Sequence, residues 1–247
     1  MNAKNLRALT ARIVGIATAL ALVAFPGAGL GAPITWVPDA DGFWDVAANW
    51  SSNPSLPGAV DDVTINVGGA VVRLITHRTG TTSIRTITNA ETIEVNNAST
   101  LTIQPGGLAS TNSGTLRANN GTINLGNTTL NNAGGTLSAI NSGRINLGGT
   151  LVVGGTLSTA TSGVILTGVG TTATLNGVTL ASGAQFIGSN ASTTTLIGTI
   201  ANGGTITLSS LGNATDLVMS GDVTLTGSGS VLMGNNINNR IRGGAGS

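Results

Sequence analysis

Residues 114–243 read as one short phrase written six times: GTLRANNGTINLGNTTLNNAG (114–134), GTLSAINSGRINLGGTLVVG (135–154), GTLSTATSGVILTGVGTTATLN (155–176), GVTLASGAQFIGSNASTTTLI (177–197), GTIANGGTITLSSLGNATDLVMS (198–220) and GDVTLTGSGSVLMGNNINNRIRG (221–243). Each copy has 20 to 23 residues. A fixed period in this range marks a stacked-repeat architecture. No unit can bury its apolar face alone, and neighbours stack to share one core.

Within a copy the apolar residues form three short clusters. They centre on Leu116, Ile123 and Leu130 in the first copy, on Leu137, Ile145 and Leu151 in the second, and on Leu157, Ile165 and Leu175 in the third. Inside a cluster the pattern alternates, as in Ile123-Asn124-Leu125 and Ile145-Asn146-Leu147. Period two is the mark of a strand with one buried face, and such short clusters cannot make helices. Gly and Asn separate them, as turns with positive φ demand. Three strands per turn and about 21 residues per turn predict an all-β chain wound as a right-handed parallel β-helix. Leu, Ile and Val should point inward, and Thr, Ser and Asn outward. Asn at matching corners should form amide ladders. About eight coils at about 4.8 Å each give a rod near 40 Å long.

Residues 1–32 have a different composition. Lys4, Arg7 and Arg12 precede an apolar run from Ile13 to Phe25, then Pro26 and small residues up to Ala32. This is the pattern of a secretory signal peptide, and the run is short of the roughly 20 residues that span a bilayer. Pro33 after Ala32 is an awkward neighbour for a signal peptidase, which leaves a retained anchor as the alternative. From residue 33 onward seven basic residues face nine acidic ones, a net charge of −2 that argues against nucleic acid as a partner. The chain contains no Cys, so it forgoes the disulfides open to an exported protein.

Residues 33–62 hold Trp36, Trp44 and Trp50, all the tryptophans of the chain, and five of its seven Asp. An atypical first unit covers the open end of a solenoid, and large rings suit that task. The sharper alternative is a carbohydrate platform built on the same three indoles. Asp39-Ala40-Asp41-Gly42 has the opening of a calcium loop but lacks the later ligands, so no metal site is assigned.

The run 34–66, ITWVPDADGFWDVAANWSSNPSLPGAVDDVTIN, resembles the opening of large exported bacterial β-helix proteins of the autotransporter-passenger and filamentous-haemagglutinin-like adhesin type. The matching residues are Trp36, Gly42 with Trp44, Asn49-Trp50, Pro57-Gly58 and Asp61-Asp62-Val63-Thr64-Ile65. These motifs are structural. The resemblance implies a secreted or cell-surface protein, often an adhesin, with no particular ligand.

Residues 63–113 read as irregular first coils and 114–247 as regular ones. Arg73, His77, Arg78 and Arg85 fall close together. They read as a solvated face, or alternatively as a basic patch for an anionic glycan. Arg240 to Ser247 bring no capping unit, barrel or sorting tail. The chain therefore reads as the N-terminal part of a longer protein, with an open last coil free for edge-to-edge self-association.

Catalytic residues are not found. From Gly114 on, the only ionisable side chains are Arg117, Arg144, Asp216, Asp222, Arg240 and Arg242, and His77 is the only His. No paired carboxylates with a partner base, zinc cluster or phosphate loop can be drawn from that set. No cofactor is implied. Thr-x-Thr pairs such as Thr205/Thr207 and Thr224/Thr226 suggest an ice-binding ladder, but these two fall at different places in their copies. The expectation is a non-catalytic structural or adhesin-like protein, exported and in contact with membrane only during export. Surface glycans or other proteins would be its partners. The alternative is a carbohydrate-binding or cell-wall module using the tryptophans.

Overall fold

The structure is a computed structural model, and residues 33–104 and 106–244 are described. The proposed signal peptide, residues 1–32, lies outside the described residues.

Each apolar cluster becomes a strand of two to five residues, and each strand pairs only with its counterparts in the turns before and after it. Three parallel sheets of ten, nine and eight strands result. The chain visits the first, second and third face in that order, so the eight strands of the third face complete eight turns of a parallel β-helix. The only helical element among the described residues is a 3-10 turn at Ala47–Asn49.

Like residues stack on like. Leu116, Leu137, Leu157 and Leu180 align on the second face. Ile123, Ile145, Ile165 and Phe186 align on the third. Leu130, Val152, Leu175 and Leu196 align on the first. All twelve are buried in one continuous core. Leu151 is a correction. It was expected to centre a buried cluster, but the strand Thr150–Val153 turns Thr150 and Val152 inward and leaves Leu151 half-buried outside. A one-residue change of phase flips every side chain of a strand. Here the phase is set by register, which seats Val152 between Leu130 and Leu175. The inward Thr150 is tolerated because its hydroxyl donates to the Leu125 carbonyl at 2.6 Å.

The corner from the first to the second face is built by a buried amide ladder. Asn89 Nδ2 donates to Asn112 Oδ1 at 2.7 Å, and Asn112 Nδ2 donates to Asn132 Oδ1 at 2.7 Å. The same amides reach the carbonyls of Glu91, Gly114 and Gly135 just beyond each corner. The chain passes so close that a Cβ on Gly135 would meet the Asn112 carbonyl at 2.1 Å, so this position needs glycine.

Threonines also align, in a way the spacing of Thr-x-Thr pairs did not reveal. Thr205 and Thr224 do lie on different faces. Thr92, Thr115, Thr136, Thr156 and Thr179, however, form one outward column on the second face. The row beside it is mixed, with Glu94, Arg117, Ser138 and Ser158. In the last turn Leu225, Leu232, Met233 and Ile241 are exposed.

Urea unfolding should separate these roles. Leu130→Ala is expected to cost about 2–5 kcal/mol, the range for an unrelieved cavity, and Leu151→Ala less than about 1.5 kcal/mol. Asn112→Ala leaves a buried amide of the ladder short of a partner and should cost about 1–3 kcal/mol.

Candidate functional site

The first candidate is the N-terminal aromatic cluster. The segment that carries it opens with two short rungs. Pro33–Thr35 pairs with Asp62–Thr64 on the first face, and Gly42–Phe43 pairs with Ile75–Thr76 on the second. In place of a third-face strand, the chain folds the three indoles over the end of the core. Trp36, Trp44 and Trp50 are 4%, 1% and 1% exposed. Trp50 stands edge-on to both others, with ring centroids 5.1 Å from Trp36 and 4.6 Å from Trp44. A sugar needs an open indole face, and these faces are spent on one another and on the core.

The motif residues around the indoles have identifiable tasks. A Cβ on Gly42 would press into the Trp36 ring at 2.8 Å. Asn49 Nδ2 donates to the Phe43 carbonyl at 3.0 Å, and Trp50 Nε1 donates to the Trp44 carbonyl at 2.8 Å. The Gly58 amide donates to Asp61 Oδ2 at 2.7 Å, forming the turn into the first full coil, where Val63 and Ile65 point inward.

The second candidate is the basic group at 73–85. It is not an open patch. Arg73 Nε donates to Asp39 at 2.8 Å, Arg78 Nε to Asp45 at 3.1 Å, and Arg85 Nε to Asp62 at 2.9 Å. The Arg78 guanidinium also lies 3.5 Å over the Phe43 ring. Asp-rich segment and Arg-rich coil are therefore two halves of one contact. Asp41, the other acid of the calcium-like opening, accepts the Leu74 amide at 2.8 Å. Among the described residues no group of three or more metal-ligating side chains occurs.

His77 is 1% exposed and packs edge-on against Trp44. Ser99 Oγ donates to the His77 carbonyl at 2.8 Å, so it can only accept from His77 Nδ1, 3.0 Å away. Nε2 then accepts from the Thr82 hydroxyl at 2.9 Å, which describes a neutral ring. Burial pushes the His77 pKa down, against the opposing pull of a backbone hydrogen bond and the Asp45 charge.

Three of the four remaining acids are engaged as well. Glu91 Oε2 accepts the Arg73 amide at 2.6 Å, and Glu94 pairs with Arg117 at 2.7 Å. Asp216 is held between Arg240 at 2.6 Å and Arg242 at 2.9 Å. The Arg240 hydrogen bonds hold its carboxyl below the ordinary range, against a desolvation that opposes them. Asp222, the other carboxylate weighed for acid–base work, stands exposed on a turn.

A further concavity lies elsewhere and was not foreseen. It is a trough of about 580 Å³ where the third face turns into the first. Thr102, Asn124 and Asn146 form one wall, aligned in register. Gln104, Gly126, Gly148 and Gly168 continue the next outward row, and Asn127, Gly149 and Thr171 stand at the corner. Five residues separate Ile103 from Ala109, two separate Gly126 from Thr129, one separates Gly148 from Thr150, and four separate Thr167 from Thr172. Two tight corners thus sit between two longer ones. The signal available in the sequence was the Asn-Leu-Gly phrase repeated at 124–126 and 146–148.

No family model, curated protein or solved structure matches this chain.

His77 should impose a pH dependence on stability. Its folded-state pKa lies below the unfolded value of 6.5, so the unfolded chain binds the extra proton. Its contribution is complete above pH 6.5 and falls as the pH drops toward the folded value. Asp62 and Asp216, both lowered from 3.8, add their own loss only below about that pH. Denaturant midpoints measured from pH 8 to pH 5 should decline in wild type. The slope should flatten in His77→Gln.

Proposed function

We propose that the chain is an exported, non-catalytic β-helical rod, displayed at or released from the cell surface and adhesin-like in its use of long polar faces. The observation that carries this reading is how the charged side chains are used. Eight of the nine acids and six of the seven arginines from residue 33 onward hold structural partners. Much of what is left to face solvent is Thr, Ser and Asn, aligned by ladder register. A rigid array of weak polar contacts acts by multivalency, because one attachment raises the effective concentration for the next.

The pattern of residues 1–32 supports export. The resemblance of 34–66 to passenger-type and haemagglutinin-like openings supports surface display. A carbohydrate platform on Trp36, Trp44 and Trp50 gains no support from rings packed edge to face.

Cell fractionation with whole-cell protease shaving tests the reading. The protein is expected outside the inner membrane, with a mature N-terminus near Pro33 by mass spectrometry. Retention of the full-length chain in the cytoplasm would overturn it.

A further inference from the structure

The trough at the turn from the third face to the first combines a concave shape with an uncharged lining. Its lining is Thr, Gln, Asn, Leu and Gly, with no charge of either sign. An ionic ligand would lose its hydration there and find no counter-charge. An apolar ligand would strand the amides of the wall. A ligand is required that both donates and accepts hydrogen bonds at close intervals and carries no charge.

The wall is wired for such a ligand. Asn146 Nδ2 donates to Asn124 Oδ1 at 2.7 Å, and Asn124 Nδ2 donates to Thr102 Oγ1 at 3.2 Å. The chain of bonds runs one way. It leaves Asn146 Oδ1 as an acceptor at one end and the Thr102 hydroxyl hydrogen as a donor at the other. Each amide also keeps its second N–H. The second amide N–H groups of Asn124 and Asn146 therefore stand about 4.8 Å apart, the spacing of the coils, between a terminal donor and a terminal acceptor.

At two positions of the floor the backbone does not require glycine. At Gly143 and Gly163 a Cβ would meet a carbonyl oxygen at 2.1 Å and 2.0 Å, so the fold itself demands glycine. At Gly148 the nearest atoms to a Cβ are 3.9 Å away, and at Gly126 they are 3.5 Å away, both ordinary contacts. Neither residue has a positive φ. Larger side chains would fit these positions, and they would fill the trough.

We propose that this trough binds a short stretch of a neutral, unbranched polysaccharide, laid along the helix axis over the coils of Thr102, Asn124 and Asn146. Sugar hydroxyls donate and accept alike, and a polymer of repeating units meets a repeating wall. The proposal adds a ligand to the adhesive reading above but is measured separately from export. A correctly exported protein that binds no sugar would refute the trough and leave the surface role standing.

The test uses the mature chain and four probes: cellotetraose, maltotetraose, chitotetraose and xylotetraose. Isothermal titration calorimetry should detect at least one, with a Kd of about 1 mM or tighter. Gly148→Thr should weaken that binding at least ~10-fold while the melting temperature stays within ~2 °C of wild type. Asn146→Ala should also weaken it, through loss of the terminal acceptor. Tryptophan fluorescence should not respond, since the indoles are buried and do not line the trough. Absence of binding by all four probes overturns the proposal, as does wild-type affinity in Gly148→Thr.

Discussion

Every part of this molecule depends on the vertical register between successive coils. A parallel ladder places residue over residue, so Ile145, facing inward in one turn, has an isoleucine above and below it. Ile123, Ile145, Ile165 and Phe186 are one such column. The hydrophobic gain of each turn is realised only against its neighbours, which makes stability a chain of nearest-neighbour terms. The same register that stacks leucines inside also stacks amides at the corners and threonines outside. Core, corner and surface share one geometric rule.

The ends of such a stack are its weak points, and the two ends differ. At the start, three indoles close the core and three arginines grip three aspartates across the same junction. Exposed ion pairs add little each, but here they accompany a buried aromatic contact and a buried neutral imidazole. In the last turn described, apolar side chains such as Leu232 and Ile241 remain uncovered on three strand edges. Rings and ion pairs do at one end what another coil does everywhere else.

Much of this was legible before any coordinates. The repeat length and the alternation within clusters specify strand number, coil number and core. The reading erred at Leu151, because a one-residue corner at Gly149 sets a phase that composition does not reveal. The pairing of Asp39, Asp45 and Asp62 with Arg73, Arg78 and Arg85 was present in the sequence as two adjacent clusters of opposite sign. It was missed because the partners are 23 to 34 residues apart and meet only through the coil. The trough was hidden for a different reason. A glycine needed for a turn and a glycine that merely leaves space look identical in sequence, and only the room around each Cβ distinguishes them.

The arginine pairings have a consequence for resistance to proteolysis. All seven basic residues from 33 onward are arginines, six of them tied to carboxylates. Arg117, Arg144, Arg240 and Arg242 lie within paired strands. A trypsin-like protease must draw a basic side chain into its own acidic pocket and straighten the backbone around it. This chain offers few such residues, holds six of the seven in ion pairs and sets four of the seven within a strand ladder. Durability among digestive enzymes thus follows from the same contacts that fasten the coils together.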